Sequence, residues 1–269
     1  ASQPLISLNC QDAAFVMATQ VRVWNKANPK KPILPLYGLE HASELIKYLQ
    51  GYGYNEQIPL SPNVSIELIP TGHLLGDASI IIEYRKDEYH TRRIFYTGDT
   101  NAWTKSPRPF TKQFDTSKVY DCDTVICEST YGCRKHTGQN AKKVLEQVVE
   151  SHVIKGRGVL LIPTFAIGRS AQVAHLLKEI WKEHPEWEKI NIPIYLAGMM
   201  MGKAFNTYAN EYYQKHFMDE EWQNAEVFKW GKIQRIDKFN EVEEKLIDNK
   251  PKIILASSGM CTGGYTTYL

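Results

Sequence analysis

Apolar and polar positions alternate along VSIELIP (64–70), SIIIEYR (79–85) and RRIFYTG (92–98), a period of two that predicts strands. The short polar segment KDEYHT between the last two predicts a hairpin. Upstream, NCQDAAFVMATQVRVW (9–24) and HASELIKYLQ (41–50) have helical texture, with PILPLYG between them as a turn or short strand. A long polar connection, SPRPFTKQFDTSKVYD (106–121), leads to DTVICE (123–128), an apolar run that predicts a buried strand with Cys127 inside. From Gln139 the texture changes. NAKKVLEQVVESHVI (140–154) carries Val144, Leu145, Val148, Val149 and Val153 at helical spacing. Then come strand GVLLIP, helix RSAQVAHLLKEIW, strand IPIYLAG, helix KAFNTYANEYYQKHF and strand KIILASSG. Strand and helix in strict alternation predict a parallel sheet flanked by helices, so the fold class is α/β.

The strands share one feature: each ends abruptly in a small polar turn. TGH follows VSIELIP, TGD follows RRIFY, EST follows DTVIC, PTFAIGR follows GVLL, and SSG follows KIILA. Ligands of α/β sheets bind beyond the carboxyl ends of strands. His73, Asp99 and Glu128 are therefore expected to converge on one rim, although they are distant in sequence. Taken singly, each has a plainer reading. A lone histidine is more often structural, and an aspartate after Thr-Gly is often a turn or cap residue.

Composition narrows the class. The chain has 269 residues, 43% hydrophobic and 23% charged, with a net charge of +2. That length holds one large domain or two ordinary ones. Near-neutral charge neither demands nucleic acid nor excludes it, because a basic groove can sit on a balanced protein. No apolar run of membrane-spanning length occurs, and no signal-peptide pattern opens the chain. Five cysteines, an odd number with no CxxC pair, are most simply read as reduced thiols of an intracellular protein.

The ordered succession TGHLLGDAS, YTGD, ESTYG, IPTFAIGRS and ILASSGMCTGG resembles the β-CASP group of metallo-β-lactamase-fold nucleases, in its RNA-processing branch. The resemblance runs most clearly from Ile69 to Gly264. It implies part of a metallo-β-lactamase αββα sandwich over residues 1–132 and a β-CASP cap domain over 133–269, both incomplete. It also implies a zinc-dependent hydrolase acting on the phosphodiester bonds of single-stranded RNA, endonucleolytic or from the 5′ end, with two zinc ions in the complete protein. By this resemblance His73 is a ligand of one zinc, Asp99 bridges both, and Glu128 sits beside the metals and orients a catalytic histidine. The residue types suit that chemistry. Zinc takes imidazole nitrogen and carboxylate oxygen, and a two-oxygen carboxylate can hold ions roughly 3.5–4 Å apart.

The same resemblance places a His-x-His-x-Asp-His cluster upstream of residue 1 and two further histidine motifs beyond Leu269. None of these strings occurs here, and the eight histidines (41, 73, 90, 136, 152, 175, 184 and 216) offer no substitutes. Arg169 at the start of a helix and Lys203 after AGMMMG are candidate phosphate contacts, each against a plain salt-bridge or cap reading. Ser258 and Tyr131 are further substrate-binding candidates, as hydroxyl donor and stacking ring. Tyr208, Tyr212 and Tyr213 are read as packing residues before stacking ones, and His136 as solvent-facing. The expected partner is single-stranded RNA, with no membrane, in a homodimer or as a subunit of an RNA-processing complex. The expected location is cytoplasmic, or nuclear in a eukaryote. Two other readings remain open: a catalytically silent scaffold paralogue and a DNA-repair nuclease of the same fold. Retention of His73, Asp99 and Glu128 together argues against the first, and ESTYG leans away from the second.

Overall fold

A computed structural model describes residues 2–101, 109–134, 138–238, 241, 244–245 and 250–269, so His136 lies outside the described residues. The chain divides into two compact units, residues 1–51 and 52–269.

The first unit is a pair of helices, α1 (Ser2–Ala27) and α2 (Leu39–Lys47). The PILPLYG segment between them forms no strand. Its two prolines remove ladder donors, and the backbone is held from outside instead. The Asn25 amide donates to the Ile33 carbonyl at 2.9 Å and accepts from the Ile33 N–H at 2.8 Å.

The second unit contains two sheets. The first has five strands in the order β1 (Gln57–Ser61), β2 (Val64–Pro70), β3 (Ala78–Arg85), β4 (Thr91–Tyr96) and β5 (Thr124–Ile126). The first four run antiparallel and β5 joins β4 in parallel. Alternation in β2, β3 and β4 buries Ile69, Ile81 and Phe95 on one face, where they form a small core. On β2, Glu67 is also buried, and it is paired with Lys118 at 3.0 Å.

The expectation for DTVICE needs correction. It is a strand, but an exposed one: all three residues of β5 and Cys127 are open to solvent. A continuous apolar run suggests burial on both faces. Among the described residues β5 is the last strand of its sheet and pairs on one side only.

The second sheet is wholly parallel, in the order β6 (Val159–Pro163), β9 (Lys252–Ala256), β7 (Ile194–Ala197) and β8 (Ile233–Ile236). Every residue of β7 and β9 is buried, as central strands of a parallel sheet require. The connections carry α3 (Ala141–Val148), which passes into a π-helical turn at Val149–Lys155, then α4 (Arg169–Glu183), α5 (Met199–Ala209) and α6 (Glu211–Phe217). A last short helix, α7, spans Tyr265–Tyr268. The single helix expected over 203–217 is two. Asn210 takes an extended conformation between them, and its side chain accepts from the Tyr213 N–H to cap α6.

Within this unit the segment after β4 reaches across to the second sheet. Phe110, fully buried, meets His175, Trp222 and Phe228 with ring centroids 5.4, 5.5 and 4.9 Å away. The Thr111 carbonyl accepts from the Asp219 N–H at 3.0 Å, and the Asp219 carboxylate accepts from the Gln113 N–H at 3.0 Å.

Candidate active site

Three turns at the ends of β2, β4 and β5 are tied together by backbone-directed hydrogen bonds. The Thr71 carbonyl accepts from the Asn101 N–H at 2.9 Å and from the Thr100 hydroxyl at 3.3 Å. This joins the turn of His73 to the turn of Asp99. The Thr97 N–H donates to the Ile126 carbonyl at 3.0 Å, and the Thr97 hydroxyl accepts from the Glu128 N–H at 3.0 Å. That joins the turn of Asp99 to the turn of Glu128. Gly72 and Gly98 both take positive φ, 69° and 56°, which lets the chain turn sharply before His73 and Asp99.

Hydrogen bonding and charge also link side chains to these turns. Glu128 accepts from the Thr100 N–H through Oε1 and from the Thr130 N–H through Oε2, both at 3.2 Å. The Thr100 N–H above all, with the Thr130 contacts and the nearby charge of His73, holds its carboxyl below the usual carboxylate range. Glu128 is therefore an ionised group facing His73. Asp99 is exposed and close enough to Asp77 for its charge to act there. Burial first, and then the Asp99 charge, push the Asp77 carboxyl up to about 6. Asp77 is an acid near Asp99 that the sequence reading did not single out. The available signal was an acid four residues after His73 in the same GHLLGD turn.

Of the remaining candidates, Arg169 lies on a loop packed against the His73 turn. It opens α4 directly after Gly168, whose φ is +78°. A Cβ on Gly168 would lie 2.1 Å from Leu74 Cδ2 and 3.2 Å from the Tyr208 hydroxyl. So the AIGR loop lies directly on the residue after His73. The Arg169 guanidinium donates to Gln172 Oε1 at 2.8 Å. Ser258 uses its hydroxyl within its own turn, accepting from the Met260 N–H at 3.2 Å. Lys203 is exposed on α5, and Tyr131 is exposed in the turn after Glu128. Tyr208 is core: it is 1% exposed, and its hydroxyl oxygen accepts from the Leu75 N–H at 3.1 Å.

Residues 171–269 match the Beta-Casp domain family. Over those residues the chain carries a β-CASP domain. It is similar to Endoribonuclease YSH1 of Mycosarcoma maydis, 26% identical over 262 residues that make up 95% of this chain and 27% of that protein. An RNase J-like protein of Methanocaldococcus jannaschii is 29% identical over 233 residues, 84% of this chain and 49% of its own. Transcription termination factor FttA of Methanothermobacter thermautotrophicus is 27% identical over 238 residues, 85% of this chain and 35% of its own. The chain thus spans between about a quarter and a half of these β-CASP relatives. No helix among the described residues is long and apolar enough to cross a membrane.

β-CASP nucleases are typically metal-dependent, which makes the donor set the next question. His73 and Asp99 are zinc donors in kind, an imidazole and a carboxylate. They fall short in number: among the described residues no three His, Cys, Asp or Glu side chains surround one point. A catalytic zinc takes three protein ligands and a water.

Proposed function

We propose that this chain is part of a β-CASP ribonuclease that hydrolyses phosphodiester bonds of single-stranded RNA. The observation that carries the reading is the convergence of His73, Asp99 and Glu128 on one rim, by hydrogen bonds between three turns far apart in sequence. Residues 1–132 belong in this reading to the metallo-β-lactamase part and 133–269 to the β-CASP cap. His73 and Asp99 are this chain's share of a zinc donor set. Zinc so held supplies an acidified water, with a pKa near 7, at neutral pH. Glu128, ionised and fixed by two backbone N–H groups, sets the orientation and protonation of an imidazole beside it. Arg169 and Lys203 take phosphates, while Ser258 and Tyr131 offer a hydroxyl and a ring to the strand. Membership of an RNA-processing complex, or a homodimer, in cytoplasm or nucleus completes the reading.

The test is cleavage and binding by the full-length protein. Single-stranded RNA is expected to be cut in preference to duplex DNA of equal length. Its binding should weaken steeply with salt, because phosphate contacts release counterions. Equal or better cleavage of DNA would move the protein to a repair role. Salt-dependent RNA binding without any cleavage would make it a scaffold.

A further inference from the structure

The loops after β6, β9 and β7 lie side by side, because those strands are neighbours in one parallel sheet. A large apolar side chain is turned to solvent beyond the end of each strand: Phe165 at 54% exposure, Met260 at 69%, and Met199, the first residue of α5, at 55%. Phe165 differs from an ordinary exposed phenylalanine in how firmly its backbone is fixed. Its carbonyl accepts from the Ser170 N–H at 3.2 Å and from the Thr164 hydroxyl at 3.4 Å. The preceding Thr164 N–H extends the β6–β9 pairing, donating to the Ala256 carbonyl at 2.9 Å. On the other side, Gly259 approaches so closely that a Cβ there would lie 2.9 Å from the Phe165 nitrogen and 3.2 Å from its ring carbon Cδ2. One edge of the ring is thus braced by a glycine, and the rest faces water.

Leaving about half of such a side chain in solvent forgoes much of the stabilisation that burying an aromatic ring supplies. A pinned backbone with an open ring is the geometry of a stacking platform rather than of a packing residue. The charges nearby specify the occupant. Arg169 opens α4 four residues later, and exposed Lys203 lies on α5, which follows β7. Flat bases and regularly spaced phosphates call for an aromatic face with cations on neighbouring elements, which Phe165, Arg169 and Lys203 supply.

We propose that Phe165 is the stacking platform for an unpaired base of the bound RNA, with Met260 beside it, while Arg169 and Lys203 hold adjoining phosphates. The inference rests on the ribonuclease reading and adds a base-binding position to it.

The test measures equilibrium binding of an unstructured RNA oligonucleotide to full-length protein, with a chelator present to suppress cleavage. Phe165→Ala is expected to weaken binding roughly 5- to 100-fold, the range for loss of one stacked base, with no change in salt slope. Phe165→Trp should bind as well as the wild type, and its added indole should be quenched by RNA relative to the wild-type signal. Arg169→Ala should instead lower the salt slope by about 1. The proposal is overturned if Phe165→Ala binds RNA like the wild type, or if the added indole is not quenched. Should Phe165→Ala fail to fold, the quenching of Phe165→Trp decides alone. Normal RNA binding and cleavage by the wild type together with either negative result sinks only this inference. Absence of RNA binding by the wild type sinks the ribonuclease reading with it.

Discussion

Glu128→Gln in the full-length protein is expected to lower RNA turnover by about 10²–10⁴-fold while leaving most bound zinc in place. The substitution keeps the shape of the side chain and removes its charge. In the protein both Glu128 oxygens accept backbone N–H groups, from Thr100 and Thr130. A carboxamide can satisfy only one of them, because its other end is a donor. The local fold, tied as well by the Glu128 N–H to Thr97, should survive. What is lost is the negative charge, and with it the control of the protonation and direction of the catalytic imidazole that Glu128 orients in this reading. Asp99→Ala provides the contrast. It removes a candidate metal-holding carboxylate and should reduce zinc content and activity together. Metal analysis and cleavage assays on the two variants side by side decide the roles. If Glu128→Gln loses metal as fully as Asp99→Ala, Glu128 is a ligand and its assignment here is wrong.

Tyr208→Ala should destabilise the protein by about 3–5 kcal/mol, the usual cost of truncating a buried aromatic. Tyr208 is buried beside Phe110, with ring centroids 6.5 Å apart, and its hydroxyl oxygen accepts from the buried Leu75 N–H. Tyr208→Phe isolates the second effect. It keeps the ring and strands a buried N–H, at about 1–3 kcal/mol. Leu75 lies two residues after His73, so the softer variant should also reduce RNA cleavage by letting the GHLLGD turn drift. Denaturant unfolding of both variants, with cleavage rates at a temperature where each is folded, checks this. A Tyr208→Phe protein as stable and as active as the wild type would show that the bond to Leu75 does not hold the turn.

Much of this fold is legible in the sequence wherever local pattern and tertiary setting agree. VSIELIP is read as a strand by its alternation and is a strand over the same residues, with Ile69 in the core. The rim turns are legible for a related reason: an apolar run that stops at Gly and a polar residue has few other conformations open to it. The misreadings occur where pattern underdetermines setting. TVI looks like a central strand because its residues are apolar, yet edge or centre depends on what pairs beyond it. Asn210 sits in helical text on both sides, and only its extended backbone reveals a cap. IQRI, strand β8, has too little apolar character to be noticed, since it fills the outer position of its sheet. Among the candidate site residues, His73, Asp99 and Glu128 stand out by their turns. Asp77 does not, because its closeness to Asp99 on another loop is encoded in no local pattern.

The central claim is that His73 and Asp99 serve one catalytic centre. It is tested most directly by single-turnover RNA cleavage, with enzyme in excess, for His73→Ala, Asp99→Ala and the double variant. Groups that act as a unit are strongly non-additive, because removing one already disables the other. The account predicts that the double variant cleaves no more slowly than the worse single variant. Losses that multiply, with each single variant retaining its own partial activity, would show that the two residues work independently and would contradict it.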